Sequence, residues 1–171
     1  MIRRLGIALA VLCFIVFVMA TIQASAAWSM ARGPFTNAVT RGLGAKVTLH
    51  TRRAFAAELQ AEGGEAKNNP FNTTISAPGA TCYNIVPCVK NYPTPKIGIE
   101  ATIRTLKENG HGYEKIRRPV ILNAPATRIV RGFGESEWGT NLELVLAVLD
   151  DIRHDRFPNT LSFLEARQIA N

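Results

Sequence analysis

Glu62 is the residue of this chain best placed to do chemistry: it sits in Ala61 to Thr74, AEGGEAKNNPFNTT, where a helical pattern runs into two glycines and an asparagine-rich stretch. A carboxyl group in the last turn of a helix lies near unpaired carbonyls and the negative end of the helix dipole, a setting that favours keeping its proton. That is what a general acid needs. Some thirty residues on, Val89 to Leu106, VKNYPTPKIGIEATIRTL, supplies a tyrosine loop and a second helix, candidates for the facing wall of a cleft.

The elements that would position Glu62 can be read from spacing. Val47, Leu49, Ala54, Phe55, Leu59 and Glu62 recur at roughly helical intervals, with Thr51 as a plausible N-cap and Gly63 and Gly64 as the stop. Glu58, one turn before Glu62, is expected to be a solvated neighbour on the same face or a salt-bridge partner. Residues 68–91 contain Pro70, Pro78, Gly79 and Pro87 and read as a long loop, with a short hairpin near Thr73 to Ser76. A second helix is expected from about Pro95 to Asn109, capped by Thr94 and Gly110, and a third over Ile116 to Val130, interrupted near Pro125. Gly132 to Asn141, GFGESEWGTN, reads as a loop, and leucine-rich helical patterns cover Asn141 to Ile152 and Thr160 to Ala170.

The N-terminus has the form of an export signal, with Arg3 and Arg4 ahead of an uncharged apolar run from Leu5 to Ile22 and small residues at Ala24, Ser25 and Ala26. Cleavage after Ala26 is the expectation, with retention as a membrane anchor the alternative, because the run approaches the length that crosses a bilayer. The domain reading is then a signal or anchor over 1–26, a flexible lead-in over 27–45, rich in Gly, Thr, Asn and Arg, and one domain over 46–171 with added helices from about 142. Removing 26 residues from 171 leaves 145, enough for a single core.

Without Arg3 and Arg4, 18 basic residues face 13 acidic ones, a formal charge of +5 that favours an anionic partner. Export and the lack of any zinc-finger, RNP or helix-turn-helix signature argue against nucleic acid. Cys13 falls in the apolar segment, which leaves Cys82 and Cys88, in CYNIVPC, as a disulfide in an oxidising compartment. His50, His111 and His154 are isolated and no CxxC or HExxH spacing occurs, so no metal site and no cofactor is expected.

Taken in order, AEGG, NNPFNTT, VKNYPTPKIGIEATIRTL and SEWGT resemble a group of actinobacterial and phage proteins with the lysozyme-like fold, near the glucosaminidase and lytic transglycosylase branches. The resemblance spans about Arg52 to Asn141 and implies a mainly α, lysozyme-like α+β domain with an active-site cleft. It implies that Glu62 is the catalytic acid, that Asn69, Phe71 and Asn72 line a sugar cleft, and that Tyr92 is the aromatic across from the acid. Two features depart from the group: the turn reads EGG where many relatives have a serine, and a cysteine pair flanks a loop that is not usually crosslinked. The residues from Leu142 onward have no counterpart in it.

The implied function is an exported enzyme, periplasmic or extracellular with inner-membrane anchoring as the alternative, that cleaves the glycan strands of peptidoglycan. The aspartates, Asp150, Asp151 and Asp155, all lie near the C-terminal end, which favours a one-acid lytic transglycosylase over a muramidase that uses a second group. Glu65, Glu100, Glu135 and Glu137 are the acids that could give a hydrolase its second carboxylate. The rival readings are a noncatalytic wall-binding or virion-associated module and an anchored accessory of a secretion apparatus. For Asn68, Asn69 and Asn72, turn formation competes with sugar contact. Trp138 is expected to cap the core more than to touch substrate, and His111 to occupy an exposed turn.

Overall fold

The structure is a computed structural model and describes residues 33–156. Among these residues it is mainly α-helical, with six helices and one two-stranded antiparallel hairpin. The helices are α1 (33–42), α2 (Leu49–Glu62), α3 (Pro95–Lys107), α4 (Glu114–Ile121), α5 (Ala126–Gly134) and α6 (Leu142–Arg153). Strands β1 (Thr81–Cys82) and β2 (Lys90–Asn91) pair with Thr81 opposite Asn91 and Cys82 opposite Lys90.

Helix α2 is the central element. Every residue from Ala54 to Leu59 is buried, so the helix is covered on all sides, as expected of one surrounded by other elements. Its neighbours include α5 and α6. The start is fixed by a reciprocal capping box between Thr48 and Thr51, which puts the cap three residues earlier than Thr51, the sequence expectation. The end comes at Gly63, whose left-handed φ of 63° lets its amide close back on the Leu59 carbonyl, and Glu62 is the last helical residue.

Residues 33–42 correct the expectation of a flexible lead-in. Phe35, Val39 and Leu43 fall four apart on one face and are buried, with the Phe35 ring 6.2 Å from that of Phe71. The threonines that made this stretch look loop-like spend their hydroxyls on the helix itself. Thr40 Oγ1 donates to the Thr36 carbonyl at 2.8 Å, and Thr36 Oγ1 to that of Gly33 at 2.9 Å.

The remaining helices follow the sequence closely, with local adjustments. Thr94 caps α3 and Pro95 occupies its first turn, while the helix stops at Lys107, before Gly110. The expected third helix divides into α4 and α5 at residues 122–125, where Asn123 takes a left-handed φ of 51° ahead of Pro125. Pro119 inside α4 deprives the Lys115 carbonyl of a helical donor, and Gly132 of α5 lies so close that a Cβ there would stand 2.2 Å from that oxygen. Helix α5 runs on to Gly134, so the loop anticipated from Gly132 begins at Glu135. Asn141 caps α6, which buries Val145, Val148, Leu149 and Ile152.

The hairpin expected at Thr73 to Ser76 forms instead at β1 and β2, closed by the Cys82–Cys88 disulfide. Cys13, the export segment over 1–26 and the helix expected at Thr160 to Ala170 lie outside the described residues. Among the described residues no helix is long and apolar enough to cross a membrane.

Candidate active cleft

Glu62 ends α2 on the wall of a cleft of about 390 Å³. Phe71, Asn72, Thr73, Val89, Tyr113, Glu137 and Trp138 also line this cleft. A smaller groove of about 160 Å³, which includes Gly63, Glu65 and Tyr83, shares Glu62, Asn72 and Val89 with it. The acid therefore stands on wall common to two adjoining depressions, which suits a group that acts on an extended chain rather than a compact ligand.

The asparagine loop is tied down by its own side chains. Asn69 is wholly buried; its amide nitrogen donates to the carbonyls of Thr73 (2.8 Å) and Lys90 (2.7 Å). Its amide oxygen accepts from Thr73 N (3.0 Å) and Thr73 Oγ1 (2.9 Å). Tyr92 is likewise buried, donating its hydroxyl to the Ile75 carbonyl at 2.8 Å and lying 3.1 Å from Thr73 Oγ1. Burial, with some help lost to the Thr73 contact, raises the Tyr92 phenol above its ordinary range.

These positions correct two of the implied sugar contacts: Asn69 and Tyr92 hold the loop from inside and leave no polar atom for a ligand. Asn72 and Phe71 do reach the cleft, Asn72 as a half-buried residue with a left-handed φ of 53° and Phe71 as part of its apolar floor. Asn68 also takes a left-handed φ, 54°, and donates to the Tyr92 carbonyl at 2.8 Å.

Trp138 meets both readings considered for it. Its ring makes edge contacts with Phe133 (5.4 Å), Tyr113 (5.7 Å) and Phe71 (6.1 Å), and the residue also lines the cleft. Next to it, Glu137 Oε2 lies 2.7 Å from His111 Nδ1, and Glu137 N donates to the His111 carbonyl at 3.0 Å. His111 stacks on Tyr113 at 5.4 Å. It is exposed in a turn, as expected, and the hydrogen bond and charge of Glu137 raise its pKa.

Of the other acids weighed as a second carboxylate, Glu65 lines the smaller groove and accepts from the Tyr83 hydroxyl at 2.7 Å. Glu100 is exposed on α3, and Glu135 is exposed with Arg128 3.8 Å away. Only Glu137 shares the larger cleft with Glu62.

Sequence reasoning missed Glu58. It is fully buried, one helical turn below Glu62, against the expectation of a solvated neighbour. Its Oε1 is 2.5 Å from Thr140 Oγ1, and its Oε2 has no hydrogen-bond partner. Burial drives its pKa from 4.5 up to about 8, opposed by the Thr140 bond and aided by the charge of Glu62. The signal was present: Glu58 is the lone charge in AFAAEL, a run that only a central helix buries entirely.

Among the described residues no group of histidine, cysteine, aspartate and glutamate is arranged to hold a metal ion. No protein-family model, curated protein or solved structure matches the chain.

Proposed function

We propose that this protein is an exported, lysozyme-like enzyme that cleaves the glycan backbone of peptidoglycan, with Glu62 as the general acid. One observation carries the reading: a carboxyl group at the glycine-terminated end of the central helix lies on wall shared by two adjoining grooves, one of them floored by aromatic rings. In this mechanism Glu62 protonates the bridging oxygen as the glycosidic bond breaks, and C1 of the resulting oxocarbenium ion is captured by the C6 hydroxyl of the same sugar, whose proton returns to the Glu62 carboxylate, giving a 1,6-anhydro end. Trp138, backed by the buried Phe71 ring, offers apolar surface to sugar faces, and Asn72 and Thr74 offer hydrogen bonds.

Hydrolysis by water is a second reading, favoured by Glu137 in the same cleft. There Glu137 would take the proton of the attacking water while Glu62 serves the leaving oxygen, giving a reducing end. The disulfide agrees weakly with an oxidising compartment outside the cytoplasm.

Zymography on murein with wild type and Glu62→Gln tests the reading. Clearing by wild type that the variant loses supports it. Retained binding without clearing in either protein replaces the enzyme with a wall-binding module.

A further inference from the structure

Positive charge is concentrated on α4 and α5. Residues 114–131 hold Lys115, Arg117, Arg118, Arg128 and Arg131 against one acid, Glu114, so that 5 − 1 = +4 of the chain's formal +7 falls on these residues. Lys115, Arg118 and Arg128 line a groove of about 290 Å³, with Glu114, Pro119, Leu122 and Ala124 forming the rest of its wall. Glu114 and Glu135 answer only part of this charge: Glu114 is one acid against three cations on the groove wall, the Glu135 carboxylate is 3.8 Å from Arg128, and Lys115 Nζ donates to the Glu135 backbone carbonyl at 2.7 Å.

At the end of the same groove the surface turns apolar. Leu122, 67 % exposed, opens the turn between the two helices, and Ile121, 46 % exposed, is the last residue of α4. That turn is braced rather than loose. Thr48 Oγ1 donates to Asn123 Oδ1 at 2.6 Å, and Ala124 N donates to the Pro119 carbonyl at 2.9 Å. The first bond also brings the start of α2 alongside, where Leu49 is 47 % exposed.

A hydrated polyanion would satisfy the cations but leave the aliphatic side chains in water, and a neutral apolar partner would do the reverse. The interface of a bilayer with anionic headgroups provides for both, since phosphates lie directly above the acyl boundary. From this arrangement we infer that the α4–α5 turn is a peripheral docking surface for an anionic phospholipid bilayer, with Ile121 and Leu122 in the headgroup layer and Lys115, Arg118 and Arg128 on lipid phosphates. The inference stands apart from the glycan chemistry assigned to the cleft.

A nitroxide label at position 122 tests it in the full chain, using Cys13→Ser with Leu122→Cys so that only the new thiol is labelled. On vesicles of phosphatidylcholine mixed equally with phosphatidylglycerol, the label should become shielded from a water-soluble nickel relaxant and accessible to oxygen. On pure phosphatidylcholine it should stay in water. Adding Arg118→Glu and Arg128→Glu should abolish the shielding, since each cation contributes about fivefold to partitioning. Three results would overturn the inference: a label that remains in water on both vesicles, equal shielding on both, or shielding that survives charge reversal. Loss of binding to isolated sacculi on charge reversal, with the label in water on every vesicle, would transfer the surface to a wall polyanion.

Discussion

Glu58 and Thr140 stand 82 positions apart in the chain and are joined by a 2.5 Å hydrogen bond in a place that solvent does not reach. The bond ties the central helix to the loop that leads into α6, and the acid it involves is kept protonated at neutral pH by burial.

The pH dependence of stability follows from that acid. In the unfolded chain Glu58 loses its proton near 4.5, whereas in the fold it keeps it to about 8. Its favourable contribution is therefore complete below pH 4.5 and is lost as pH rises to about 8, by up to about 5 kcal/mol in all. Urea denaturation at pH 5 and pH 8.5 should show this fall in wild type. Glu58→Gln, which still accepts from Thr140 but does not ionise, should be the more stable protein at pH 8.5 and have a flatter profile.

Glu62 and Glu137 should separate in product analysis. Glu62→Gln should lower murein cleavage by roughly 10² to 10⁴-fold. Glu137→Gln should leave cleavage intact if the C6 hydroxyl of the cleaved sugar attacks its own C1, with anhydro ends in the muropeptide mass spectrum. If water attacks, the same variant should lose reducing-end products, and the one-acid mechanism is then wrong.

Asn69 and Tyr92 are expected to matter for stability rather than for binding. Asn69→Ala strands buried partners on Thr73 and Lys90 and should cost about 2 to 4 kcal/mol. Tyr92→Phe keeps the ring and loses the bond to Ile75, for about 1 kcal/mol. Denaturant midpoints read both losses. A folded Tyr92→Phe with weakened murein binding would return this residue to the cleft.

Gly98 and Gly64 mark two places where backbones touch. A Cβ at Gly98 would lie 1.8 Å from the Asn68 carbonyl oxygen, and one at Gly64 would lie 2.2 Å from that of Pro70. Neither oxygen can swing aside without undoing the asparagine loop. Each alanine substitution should destabilise by about 3 kcal/mol. Gly33→Ala, with open space around it, should fall well below that on the same thermal melt.

The parts of this architecture that are governed by local rules were legible in the sequence. Gly63 ends α2, Thr94 and Pro95 start α3, Asn141 starts α6, and the cysteine spacing gives the disulfide, because each depends on residues within one or two turns. Helix α1 was obscured by threonines that bond to their own helix, and Glu58 by the habit of reading an acid as surface. Both depend on what packs against them. The same holds for Asn69 and Tyr92: residue type marked them as potential ligand contacts, and only the return of residues 89–92 beside the asparagine loop shows that they face inward.

Trp138 gives the protein an intrinsic optical reporter. The sequence has two tryptophans, Trp28 and Trp138, and the indole of the second touches three aromatic rings while forming part of the cleft wall. A sugar laid against it would alter both its ultraviolet emission and the near-ultraviolet dichroism of the ring cluster. Occupancy of the cleft can thus be titrated by light, with no bond broken and with inactive variants as readily as with wild type.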